Sequence, residues 1–136
     1  MILKPAVNNG LPAFIVSLTI NGQLPSMKNQ RRFVRNRHTG KPMFIKSKEA
    51  LDYATYFNSQ IPQKYRIEYD KPISLRARVH YRTKRSDLDI EYLKDLLQRC
   101  GIIKNDNQIH HMEAWKGVDK ERPRLIFTIY PYEESK

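Results

Sequence analysis

The chain holds a single cysteine, Cys100, among 136 residues. That excludes an intramolecular disulfide and any zinc site built on paired cysteines. Cys100 falls in a helical apolar pattern and is expected to be a buried structural thiol. No apolar run approaches the roughly 18 residues that a membrane span needs. The start, Met1-Ile2-Leu3-Lys4-Pro5, lacks the apolar segment of a signal peptide. An intracellular, cytoplasmic protein with no membrane partner is therefore expected. Glycine is scarce at five residues, and 40% of the chain is hydrophobic, which argues against general disorder. The length suits one domain over residues 1–136, and no repeat or internal boundary interrupts it.

Acidic side chains are missing from the first third. Residues 1–48 hold nine Lys/Arg and no Asp or Glu, so most of the net charge of +11 lies there. Such asymmetry points to a polyanionic partner. A small-molecule substrate is not implied.

Several stretches have a clear period. Ala13–Ile20 is β-branched and aromatic and reads as a strand, closed by the turn signal Asn21-Gly22. Residues 23–46 are basic and aperiodic and read as a long functional loop. Ser47 is placed to cap a helix with Leu51, Ala54, Tyr56 and Ile61 as its apolar stripe, ended by Pro62. Ile73, Leu75, Ala77, Val79 and Tyr81 alternate with Ser74, Arg76, Arg78, His80 and Arg82, giving a strand with one apolar and one basic face. Leu93, Leu96, Leu97 and Cys100 share one helical face, and Gly101 suits the stop. Strands follow near 109–115 and 125–130. The order β-α-β-α-β-β predicts an α/β (α+β) fold with a small mixed sheet and two main helices.

Carboxylates then gather where basic residues dominate. Asp87 and Asp89 lie in Lys84-Arg85-Ser86-Asp87-Leu88-Asp89, and Asp106 lies in Lys104-Asn105-Asp106-Asn107-Gln108. Residues i and i+2 of an extended segment project to one side, so Asp87 and Asp89 form a pair. Clustered carboxylates repel unless a cation sits between them, and a hard ion such as Mg2+ fits an all-oxygen set. Gly101 with Ile102-Ile103 offers a way for the chain to double back and bring Asp106 to the pair. The same residues have ordinary uses: Ser86-x-x-Asp89 matches a helix capping box, and Asn105-Asp106-Asn107 matches turn chemistry. Lys94, one helical turn and one residue beyond Asp89, is a candidate to stabilise a leaving oxygen, or a solvent-facing lysine.

This pattern resembles the RusA-type Holliday junction resolvase family. There a D-x-D-N motif, a helix and a D-D-x-Q-like turn occur in this order, after a P-P-S-x-N segment similar to Leu24-Pro25-Ser26-Met27-Lys28-Asn29. The resemblance covers about residues 13–130. It implies a homodimer that cuts four-way DNA junctions by paired symmetric nicks in recombination and repair, with Mg2+ or Mn2+. It maps the metal ligands onto Asp87, Asp89 and Asp106. Three positions depart from the pattern. Ile90 stands where the family has Asn, Asn105 where many members have an acid, and Leu93 where the catalytic lysine is expected. That role passes to Lys94, or to Lys84 or Lys104.

The expectation is a metal-dependent endodeoxyribonuclease. Asp87, Asp89, Asp106 and Lys94 serve catalysis. Lys28, Arg31, Arg32, Phe33, Arg35, Arg37, Lys41, Lys84 and Arg85 serve DNA binding, with Phe33 as a wedge or an anchor. The alternatives are a non-catalytic nucleic-acid-binding protein and a nuclease of broader flap or branch specificity.

Overall fold

The structure, a computed structural model, describes residues 7–8, 11–26, 31–35, 42–46, 48–84 and 88–132. Two short strands, β1 (Val7–Asn8) and β2 (Leu11–Pro12), pair antiparallel. The main sheet holds β3 (Val16–Asn21), β6 (Ile73–Tyr81), β7 (Ile109–Val118) and β8 (Arg124–Pro131). Its strand order is β3-β8-β6-β7, with β6 antiparallel to β8 and parallel to β7. The sheet is therefore mixed, and the fold is α+β as the sequence pattern predicts.

The alternation in β6 sets the layering. Ile73, Leu75, Ala77, Val79 and Tyr81 are buried, and they meet the buried Leu125, Phe127 and Ile129 of β8 on the same face. Two helices cover that face, α1 (Lys48–Ser59) and α2 (Glu91–Arg99). Phe57 of α1 stacks on Phe127, with ring centroids 6.1 Å apart. Each such aromatic contributes about 1.5–3 kcal/mol by leaving water. The Tyr92 hydroxyl of α2 donates to the Ala50 carbonyl of α1 at 2.7 Å and ties the helices together.

The α1 stripe differs from the expected one. Ala54 packs against the core and Ile61 is buried as expected, but Ala50, Tyr53 and Phe57 form the buried face of the helix, while Leu51 and Tyr56 are 50% and 48% exposed. Leu51 and Tyr56 lie five residues apart, off a common helical face, whereas Ala50, Tyr53 and Phe57 share one and bury more apolar area. The basic segment 23–46 also holds strands where a loop is expected. Within it β4 (Arg31–Arg35) and β5 (Pro42–Lys46) pair as an antiparallel ribbon, with Phe33 opposite Phe44 and Val34 opposite Met43. Ser47, placed as the α1 cap, lies outside the described residues.

α2 matches its sequence signature. Leu93, Leu96, Leu97 and Cys100 are buried, joined by Tyr92, and Gly101 takes φ +85° at the stop. Gly22 takes φ +102° in the turn after β3. No described helix is long and apolar enough to cross a membrane.

Candidate active site

Asp89 lies between the end of β6 and the start of α2, and it is buried, 7% exposed. Both carboxylate oxygens are engaged. The Ser26 hydroxyl donates to Oδ2 at 3.0 Å, a buried contact across 63 residues. The Glu91 backbone N–H donates to Oδ1 at 3.0 Å. Ser26 therefore links the segment after β3 to the acidic motif, a role its place in Leu24-Pro25-Ser26 does not reveal. The helix N-cap itself is Ile90, which has no side-chain cap bond. Asp89 bonds the first turn from one residue further out, so the expected Ser86-x-x-Asp89 capping box does not describe the start of α2.

Asp106 opens a single turn of 3-10 helix, Asp106–Gln108, and is exposed. The turn is locked by reciprocal capping. The Asn105 side chain accepts from the Asn107 N–H at 3.0 Å, and Gln108 Oε1 accepts from the Asn105 N–H at 2.6 Å. Gln108 is buried and donates to the Tyr69 and Lys71 carbonyls at 2.6 and 2.9 Å. Gln98, in the last turn of α2, accepts from the Asp106 N–H at 2.9 Å. Gln108 is thus the structural centre of the turn. The signal that identifies it is the Asn105-x-x-Gln108 capping box.

These contacts place the two aspartates. Asp89 caps the first turn of α2, whereas Asp106 is tied to its last turn and to the residues leading into β6. The apolar Ile102 and Ile103 are buried, and Ile103 bridges to Tyr69. They lead forward into β7 instead of turning back toward Asp89. The nine residues of α2 span about 13 Å. Within one chain the two aspartates are therefore anchored at opposite ends of the helix. Asp87 lies outside the described residues. Among the described residues, no three His, Cys, Asp or Glu side chains gather to hold a metal.

The departures from the family pattern have physical reasons. Ile90 and Leu93 are buried and belong to the core. Asn105 is the cap of the Asp106 turn. Lys94 points away from the core and pairs with Glu91 at 3.0 Å. Lys84 is exposed and, with Tyr81, Lys116, Gly117 and Val118, lines a hollow of about 250 Å³ at the end of β6. Lys104 is exposed beside Asn105. Among the DNA-binding candidates, Arg31, Arg32, Phe33 and Arg35 fall on β4. Lys28, Arg37, Lys41 and Arg85 lie outside the described residues.

All candidate donors are carboxylate oxygens, the set a hard divalent cation prefers over zinc or copper. Asp89 fits such an ion because its carboxylate is already oriented by Ser26 and by the helix N-terminus.

Comparison with known proteins agrees with the motif order. The chain is 30% identical over 69 residues to the crossover junction endodeoxyribonuclease RusA of Aquifex aeolicus (strain VF5), a match covering 49% of this chain and 54% of that protein. It thus spans about half the length of that curated relative. Residues 24–130 match the family described as Endodeoxyribonuclease RusA, from the Ser26 segment through the last strand. On that match the chain belongs to the RusA endodeoxyribonuclease family.

Proposed function

We propose that this protein is a divalent-metal-dependent endonuclease that nicks branched DNA, four-way junctions foremost, and works as a homodimer. Asp89 is the observation that carries the reading. A buried carboxylate is costly unless donors or a cation compensate it. This one is held in a single orientation in a chain of net charge +11.

When bound, Mg2+ or Mn2+ supplies Lewis acidity at the phosphate and lowers the pKa of a coordinated water. Asp87 and Asp89 would hold the ion from the N-terminal end of α2, and Asp106 from its capped turn. Ser26 fixes the plane of Asp89, so the carboxylate need not reorganise as charge develops. Lys94 lies on the same helix, and its exposed pairing with Glu91 is weak enough to yield to a phosphate oxygen. Because Asp89 and Asp106 sit toward opposite ends of α2, a three-carboxylate site takes Asp87 and Asp89 from one copy and Asp106 from a second. Two α2 helices antiparallel across a two-fold axis generate two such sites, one for each symmetric nick. The basic ribbon grips the phosphate backbone without reading bases.

The test is cleavage of a four-way junction with added Mg2+, beside flap and linear duplex DNA, using two single variants. Asp89→Asn and Asp106→Asn are each expected to bind the junction and leave it uncut. Mixed and refolded together, they should regain nicking, because one site of each mixed dimer holds only wild-type aspartates. A mixture as inactive as its parts shows that each site lies within one copy. Wild-type cleavage by Asp89→Asn alone makes Asp89 a helix anchor and sinks the metal reading.

A further inference from the structure

Helices α1 and α2 cover one face of the main sheet, and the site described above lies on that side. The opposite face has a distinct chemistry. Arg76 and Arg78, two apart on β6, project from it together. On the neighbouring β7 their register partners are Glu113 and Trp115. The Trp115 ring lies 5.2 Å from the Arg76 guanidinium carbon and 5.9 Å from that of Arg78, and it is 41% exposed. Across β6, Thr128 and Tyr130 of β8 complete an open hollow of about 370 Å³.

The charge of this face is not cancelled. Arg76 pairs with Glu113 at 3.0 Å, and Glu113 also meets His111 at 3.2 Å. Arg78 makes no ion pair among the described residues. An exposed ion pair is worth about 0–1 kcal/mol, so a phosphate can displace Glu113 from Arg76. A second copy of the chain is a poor occupant, because a two-fold contact through this face would set the Arg76 and Arg78 of one copy against those of the other, and like charges brought together cost several kcal/mol. A tryptophan flanked by guanidinium planes instead suits a flat base with a phosphate beside it. The hollow is open and shallow, which favours a segment of polymer over an enclosed metabolite.

We propose that this open face, centred on Trp115 between Arg76 and Arg78, is a platform for single-stranded DNA. An unpaired base stacks on the indole and guanidinium planes, and the adjoining phosphate takes the arginines. The inference rests on DNA being the substrate and is independent of which residues hold the metal. It gives the protein a second DNA contact, on the side of the sheet away from the carboxylates, where strands freed at a branch point can be held.

Trp115 is the only tryptophan in the chain, so its emission reports on this face alone. Titrating the protein with a short thymidine homopolymer, without divalent metal, should quench that emission saturably. Trp115→Ala, followed by anisotropy of labelled DNA, should weaken binding about 5- to 150-fold with an unchanged salt slope, the range expected for one stacked base. Arg78→Gln should instead lower the log–log salt slope by about 0.7, one phosphate on a single strand. Trp115→Phe, with circular dichroism unchanged, should bind between the two and excludes misfolding as the cause. Emission unaltered by the homopolymer, while the junction still binds, overturns the platform. So does emission that changes with protein concentration in the absence of DNA, which shows a second copy on this face. Quenching without junction cleavage overturns the proposed endonuclease and leaves the platform standing.

Discussion

The Ser26–Asp89 contact is the residue-scale feature with the clearest chemical consequence. Its hydroxyl orients a carboxylate proposed to hold a cation, and such supporting bonds typically contribute about 10- to 100-fold to metal affinity or activity. Ser26→Ala is therefore expected to lower cleavage about 10- to 100-fold at limiting metal, with recovery as metal is raised. A metal titration of single-turnover rates checks this, and a wild-type titration curve would falsify the orienting role. The sequence exposes the aspartates by type and spacing. It does not expose their partners, because Ser26 reaches Asp89 across 63 residues. Gln108 is different: its capping pattern is local and can be read directly from Asn105-x-x-Gln108.

Among the elements, α1 buries one polar atom without compensation. The Tyr53 hydroxyl has no hydrogen-bond partner among the described residues, and burial pushes its pKa well above the usual phenol value. Tyr53→Phe removes an unsatisfied group and should stabilise the fold by about 1 kcal/mol. Urea denaturation measures this, and a drop in stability would reveal a partner for the hydroxyl. The turn from β7 to β8 depends instead on Asp119. Its carboxylate accepts from the Glu121 and Arg122 N–H groups at 3.2 and 3.0 Å and from Arg124 at 2.6 Å. The Arg122 N–H first, then Arg124, holds its pKa below the ordinary 3.8. A depressed folded pKa means the stabilisation is present above that ordinary value and disappears as pH falls through the lower one. Amide exchange at Glu121 and Arg122 should therefore accelerate only below about pH 3.8, and Asp119→Asn should abolish that step. Strong periods make β6 and α2 legible. The phase of α1 is not, because its apolar residues do not share one face. The β4–β5 ribbon is hidden because two short strands leave little periodic trace in a basic composition.

For the whole molecule, charge and topology act together. The first third carries most of the net charge, and β4 puts Arg31, Arg32 and Arg35 on one strand of a ribbon. Replacing these three with Ala should lower the slope of log affinity against log salt by about 0.9 for every duplex phosphate they neutralise. An unchanged slope would mean that the ribbon stands clear of DNA. The separation of Asp89 from Asp106 is not legible either. Convergence depends on where a helix runs relative to its flanking strands, and motif spacing carries no such direction.

The strand order also has a consequence in time. β8 follows β3, β6 and β7 in the chain, yet it lies between β3 and β6, and Ser17 bonds Thr128 across 111 residues. A ribosome adding about 5–20 residues per second delivers Arg124 roughly 5–20 s after Asn21. During that interval β3 has no neighbour in the sheet, and β6 lacks one of its two. Sheet closure awaits this long-range pairing, the kind of contact that folds slowly and leaves edges open to aggregation. A nascent chain released before β8 emerges therefore lacks the pairing that joins β3 to β6. The platform would then be missing Thr128 and Tyr130, and the segment carrying Ser26 would be without its sheet support. Assembly of the sheet is thus tied to the emergence of β8, and growth temperature and translation rate should control soluble yield more strongly than for a protein of local contacts.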